Sequence, residues 1–128
     1  MDGIFGWFGT MPDPGATLAG MARAAREAAP SLAARPDHAL GAASRFGRAG
    51  FALGETVAAC MGRPVFRDGE LARRAQEQGT ATALIEGWRR HGDALPEHLG
   101  GSFALALFSP RTGDGLLALD RMGIERLC

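Results

Sequence analysis

Residues 101–124 read GSFALALFSPRTGDGLLALDRMGI. Two apolar runs, Phe103 to Phe108 and Leu116 to Leu119, flank a polar stretch containing Pro110, Gly113, Asp114 and Gly115. That is the pattern of a β-hairpin. Ala104 and Ala106 fall on the same face of the first strand, because alternate residues share a face. A face of small side chains predicts tight packing beneath a helix or a second sheet. The Gly-Asp-Gly at 113–115 belongs to the hairpin turn and not to a phosphate loop, since no helix follows it.

Working upstream, residues 80–91 read as a helix with Leu84, Trp88 and His91 on one stripe and Gly92 as its stop. His91, at the end of that helix, suits the negative end of the helix dipole. Residues 68–79, DGELARRAQEQG, read as a helix capped by Asp68 and closed by Gly79 in left-handed backbone. FALGETVAACMG, residues 51–62, predicts a strand pair or one interrupted strand. Residues 30–50 have no firm period and read as loop. A helix is predicted over 17–29, capped by Thr17 and stopped by Pro30. The chain opens with GIFGWF at 3–8, a strand whose glycines mark close approach of another backbone, and MPDPG then turns it. Trp7, Trp88 and Met61 read as core, and His38 and His98 as loop residues. Arg63, Arg67, Arg73 and Arg74 form a basic cluster that reads as a solvated face.

The order of strand, helix, strands, two helices and hairpin predicts an α+β domain. A chain of 128 residues fits one domain with a core of its own. Formal net charge is zero, which leaves no electrostatic case for nucleic acid or an anionic membrane as partner. Two cysteines, Cys60 and Cys128, make no disulfide framework, and their spacing to the histidines matches no zinc pattern. No basic region precedes the N-terminal apolar stretch, and no apolar run reaches the length a membrane helix needs, about 20 residues. The expected location is the cytoplasm.

Three motifs carry a resemblance. MDGIFGWFG at 1–9 is similar to the Met-Cys-Gly-Ile-Phe-Gly opening of class II glutamine amidotransferase domains. The run Gly101, Phe103, Ala104, Ala106, Phe108 and the closing Asp120, Arg121, Gly123, Ile124 are similar in order and spacing to the second half of those domains. Within that superfamily the N-terminal half of asparagine synthetase-like enzymes is the nearest match, over residues 1–9 and 57–128. The resemblance implies an Ntn-hydrolase-like fold, two stacked antiparallel sheets flanked by helices (αββα), here reduced in size.

In such domains a cysteine at position two attacks the glutamine side-chain amide, with its own α-amine as base. Asp2 stands there, and a carboxylate offers neither thiolate nor hydroxyl. The family's oxyanion-hole Asn-Gly aligns with Met61 and Gly62, which leaves only a backbone donor. Loss of one such donor typically lowers the rate by about 10²–10³. The glutamine-binding Glu aligns with Arg63, and the acid of the family's Gly-Ser-Asp-x-Glu segment with Ala81. The Arg-Gly-Pro-Asp motif has no counterpart. Together these losses imply a glutaminase fold without its chemistry, so no catalytic residue, cofactor or metal ligand is expected in this chain.

Similar inactive domains stand at the N-terminus of β-lactam synthetases and of lasso peptide macrolactam cyclases, whose synthetase halves use ATP and Mg²⁺. No ATP-pyrophosphate loop of Ser-Gly-Gly-x-Asp-Ser type occurs in this chain. Three functions are therefore expected in turn: an inactive scaffold for a synthetase domain in cis or in trans, with a precursor peptide as a further partner; a free-standing peptide- or protein-binding module; and a glutaminase with an altered nucleophile. The hairpin edge at residues 114–119 is expected to need a covering segment, as in a piece of a longer enzyme.

Overall fold

Strand β6 (Leu99–Ser109) pairs from Leu99 to Phe108 with β5 (Val57–Phe66), and its second half pairs with β7 (Asp114–Leu119) on the other side. The computed structural model describes residues 3–24, 31–35, 38–43 and 49–124. Around β6 the chain builds β1 (Gly3–Phe8), α1 (Pro14–Ala24), β2 (Ser31–Arg35), β3 (His38–Ala43), β4 (Ala49–Ala52), α2 (Gly69–Gln78), α3 (Thr80–His91) and a 3₁₀ segment (Gly92–His98). The strands form two antiparallel sheets of order β1-β3-β2 and β4-β5-β6-β7. The molecule is therefore α+β. None of its described helices is long and apolar enough to cross a membrane.

The two faces of β6 do different work. Phe103, Leu105 and Leu107 pack with Leu71, Leu84 and Leu95 of the helical layer. Burial of each such leucine contributes about 2 kcal/mol. Ala104 and Ala106 face the other way and meet Ile4, Leu40 and Ala42 of the β1-β3-β2 sheet. The small-residue face predicted from the alternation thus lies against a second sheet. Helix α1 rests on the opposite side of that sheet, against β1, β2 and β3, with Leu18 and Ala22 buried.

Several details differ from the sequence-based expectations. Helix α1 starts at Pro14, not Thr17. The Asp13 carboxylate accepts the Ala16 N–H at 3.0 Å, and Pro14 fills the first helical position, where its missing donor is harmless. Its expected end at Pro30 falls outside the described residues. The stretch 30–50, expected as loop, contains β2, β3 and the start of β4. Their sequences, SLAAR, HALGAA and AGFA, lack the β-branched residues that signal strands, so pairing and coverage determine their state rather than propensity. Asp114 and Gly115 belong to β7, since Ser109 pairs with Asp114 and the Gly113 N–H closes the turn on the Ser109 carbonyl at 2.8 Å.

The histidines also depart from the loop reading. His38 is fully buried on β3, with its ring 4.7 Å from that of Phe108. His98 stacks on His91 at 3.8 Å, which joins the end of α3 to the end of the 3₁₀ segment. Trp7 and Trp88 are half-buried, and Met61 is core.

Gly6 has φ +152°, and a Cβ there would overlap the Ala39 carbonyl of the paired strand. Close backbone approach is thus the reason for glycine in the middle of β1, as its position suggested. On the helical side, Asp68 caps α2 by accepting the Glu70 N–H at 2.8 Å and the Leu71 N–H at 3.3 Å. Arg90 of α3 pairs with Asp68, Glu70 and Glu86 at 3.3, 3.0 and 3.1 Å, and so ties the end of α3 to the start of α2.

The Asp120 of the closing motif proves to be a backbone anchor. Its buried carboxylate accepts the N–H groups of Phe103 at 3.2 Å, Met122 at 2.9 Å and Ile124 at 3.3 Å. Asp120→Ala strands these donors and is expected to lower the stability measured by urea unfolding by about 2–3 kcal/mol.

The Asp68 carboxyl is held below its ordinary value of 3.8, first by the Glu70 and Leu71 N–H groups and further by Arg90. A lowered native value means that its stabilisation is present above about pH 4 and is lost as pH falls through 3.8 and then through the native value. Asp68→Ala should therefore lower Tm at pH 7, and the difference from the unaltered chain should shrink at pH 2–3 in a thermal-melt series.

Candidate functional site: a cleft at the α2–α3 junction

Alternation along β5 sends Ala58 and Cys60 to the helical side and Val57, Ala59 and Met61 between the sheets. At Gly62 the backbone takes φ +86°, a conformation that a side chain would strain, and Arg63 follows it exposed to solvent. Across from this strand end, α2 passes directly into α3. Gly79 serves as the last cap of one helix and the first of the next, with φ +96° and ψ +153°. Its φ is positive, but its ψ lies outside the left-handed helical region expected for it, because the chain must leave α2 extended to start α3 at once.

Between these two elements lies a cleft of about 420 Å³. One wall is Gly50, Phe51, Cys60, Gly62 and Arg63, and the other is Gln78 to Thr82. The cleft is electropositive. No side chain caps the N-terminus of α3, so the positive end of the helix dipole opens onto it. Arg63 adds a full charge, and among the described residues no carboxylate lines the walls.

Three of the residues singled out from the sequence come together here: Gly62, Arg63 and Ala81 all line the cleft. Met61 does not. Its side chain turns the other way, is 2% exposed and packs between the sheets. Asp2 lies outside the described residues. Arg67 and Arg73 are exposed and Arg74 half-buried on or beside α2, and Arg73 pairs with Glu77 at 3.3 Å, so the basic cluster forms a solvated face.

The sequence reading gave Cys60, Thr80 and Thr82 no part in this cleft. Cys60 was recoverable, because it lies two residues before Gly62 on one strand and so shares its face. The two threonines carry no signal in sequence beyond their place in the first turn of a helix.

Among the described residues Cys60 is the one thiol on the cleft wall, and it is poorly suited to attack. Burial pushes it up to about 11, and a hydrogen bond with the Gly50 backbone lowers it only in part. A nucleophilic cysteine needs a base or a cation that favours the thiolate, and among the described residues no histidine or carboxylate stands on these walls. The cleft is roomy enough for a small polar molecule, and among the described residues it presents no activated nucleophile for acyl transfer.

Compared with known proteins, the chain finds no significant match among family models, curated proteins or solved structures.

A rise from the ordinary 9.0 to about 11 leaves about a hundredfold less thiolate at a given pH. In a Cys128→Ser chain, Cys60 should react with Ellman's reagent at pH 8 about a hundred times more slowly when folded than in urea. Equal rates in the two states would show an open thiol.

Proposed function

We propose that this chain is a catalytically inactive, glutaminase-like scaffold domain of an asparagine synthetase-like enzyme that forms amide bonds with ATP, of the lasso peptide cyclase kind. The observation that carries the proposal is the cleft. Ala81 is distant in the chain from the adjacent Gly62 and Arg63, and yet all three, which the resemblance assigns to a single glutamine site, line one cavity. The groups that such a site needs are replaced in kind. Arg63 sets a cation where glutamine's ammonium would need an anion, and Ala81 presents a methyl group in place of an acid.

The order of contacts also supports the reading. It runs from α1 to the β1-β3-β2 sheet, then to the β4-β5-β6-β7 sheet, then to α2 and α3, which is the αββα order of Ntn hydrolases. On this reading ATP and Mg²⁺ belong to a synthetase domain, joined or separate, that this domain steadies, and the complex works in the cytoplasm. Its role is mechanical: to present a rigid face to the synthetase and its precursor peptide. A free-standing binding module on the same fold is the second reading, favoured by the uncovered apolar residues of β7, where Leu117 is 58% exposed.

Incubated with glutamine, the purified chain should release no ammonia above the uncatalysed rate in a glutamate dehydrogenase-coupled assay. Turnover of about 1 s⁻¹ or more, an ordinary enzymatic rate, would overturn the proposal. A cognate synthetase should gain solubility or Tm when this chain is co-expressed with it, and no gain would point to the free-standing module.

A further inference from the structure

The corner after α3 carries two histidines that the cleft leaves unused. Helix α3 stops at Gly92, whose N–H closes on the Trp88 carbonyl, and the chain turns at once into the 3₁₀ segment. That segment ends before Leu99, whose N–H closes on the Pro96 carbonyl. It brings His98 onto His91, with ring centroids 3.8 Å apart and planes 19° from parallel. Its middle is pinned by Leu95, which is fully buried against α3 at Gly87, where a Cβ would come within 2.8 Å of it. Its far end is held by the ring pair and by the Arg67 N–H, which donates to the His98 carbonyl at 3.1 Å. One side of the pair is closed. The His91 Nε2 is shut off from solvent and has no hydrogen-bond partner among the described residues.

We propose that this pair is an acid-released latch: while at least one ring is neutral it fastens residues 92–98 to the end of α3, and protonation of both rings opens it. Histidine is the side chain whose ordinary change of charge falls near neutral pH. Neutral rings stack as flat aromatic faces, and one cation over the face of the other ring is also favourable. Two cations 3.8 Å apart repel, and more strongly in a half-buried corner than in water. A charged His91 also carries a proton on both nitrogens, so its Nε2 becomes a buried donor without an acceptor. Both costs vanish when the rings part and turn to water. The dipole of α3 favours a charge on His91, but it acts on that ring in the open corner as in the closed one.

Among the described residues no carboxylate pairs with either imidazole to offset the second charge. On α3, Arg89 and Arg90 hold Glu86, and Arg90 also holds Asp68 and Glu70 at the start of α2. Farther along α2, Arg73 holds Glu77, and Arg74 is a further cation. The 3₁₀ segment carries Asp93 and Glu97, both exposed where water and salt screen them, with Arg67 beside it. Strand β7 contributes Asp114, and β5 contributes Cys60 and Arg63, whereas β4 and β6 have no ionisable side chain. The latch depends on the fold alone, so it stands whether or not the ammonia assay supports a former glutaminase.

The test is amide exchange of the full chain at pH 7.5 and 5.5, with each rate divided by the intrinsic rate at that pH. Protection of the Gly92 and Leu99 N–H groups should fall at least tenfold at pH 5.5, while that of residues 104–107 in β6 stays unchanged. His91→Phe and His98→Phe each keep a ring for stacking and remove one charge, and each should abolish the acid loss. Either variant alone carries the comparison, and His38 is retained in all three chains, so its titration cancels. The proposal is overturned by equal protection at the two pH values, by a loss that β6 shares equally, or by an acid loss that persists in a phenylalanine variant.

Discussion

The separation between the two sheets is set by methyl groups. Ala104 and Ala106 of β6 and Ala59 of β5 face Ala42 of β3 across the interface, with Ile4, Leu40 and Met61 filling the space around them. Side chains of this size let two sheets lie close, and the same closeness forbids larger ones. An added methylene or two in so tight a layer costs about 1–3 kcal/mol, because neither sheet can move without breaking its other contacts. Phe103, Leu105 and Leu107 of β6 are sent to the opposite face, where the helices are free to stand farther off, while Phe108 near the strand's end stays between the sheets beside Phe8 and His38.

That division of labour decides where the cleft forms. Leu71, Leu84 and Leu95 anchor α2, α3 and the 3₁₀ segment over the middle of β6. The junction of the two helices then falls beyond the filled part of the core, over the ends of β4 and β5. Gly50 allows the Cys60 sulfur to sit against β4, since a Cβ there would come within 2.7 Å of it. Packing is thus complete to one side of Cys60 and open on the other. A cavity at the rim of a rigid core needs no flexibility to persist, and its walls are fixed by residues that take no part in it.

The elements legible in the sequence are those whose local preference agrees with their tertiary role. The hairpin of β6 and β7 and the helices α2 and α3 carry alternation, caps and stops that survive into the structure, and Asp68 caps α2 through the same oxygen that the pattern implies. The strands β2 and β3 were illegible because alanine and glycine have no liking for a sheet; they become strands only when β1 pairs with β3 and α1 covers them. His38 misled for a related reason, since a titratable residue beside Pro36 and Asp37 reads as loop, whereas Phe108 on the other sheet supplies its ring with a neighbour. In the site, Gly62, Arg63 and Ala81 were legible only through resemblance, for nothing in their spacing brings a strand end to a helix junction. Met61 shows the converse: the resemblance set it at a site position while its own character read as core, and strand alternation places it in the core.

Met61 also separates the two kinds of residue in this domain. Among the features that tie the chain to the glutaminase resemblance, Phe103, Ala104, Ala106, Phe108 and Asp120 are each buried and engaged in packing or in backbone hydrogen bonds, whereas Gly101, Arg121, Gly123 and Ile124 are exposed. Arg63 and Ala81, which depart from it, stand on the cleft wall, where a change of side chain disturbs no packing. A thioether at position 61 suits the inter-sheet layer better than an amide would, because an amide turned inward would leave its donors and acceptor unpaired at a cost of about 1–3 kcal/mol for each lost partner. A polar group there is tolerable only while a chemical task holds it toward solvent or substrate. On the proposed reading, the core gains by replacing it once that task is gone. On that reading the expectation is a well-packed interior beside an unreactive cleft, with binding left to the surfaces that the packing does not cover, such as β7, where Leu117 is 58% exposed.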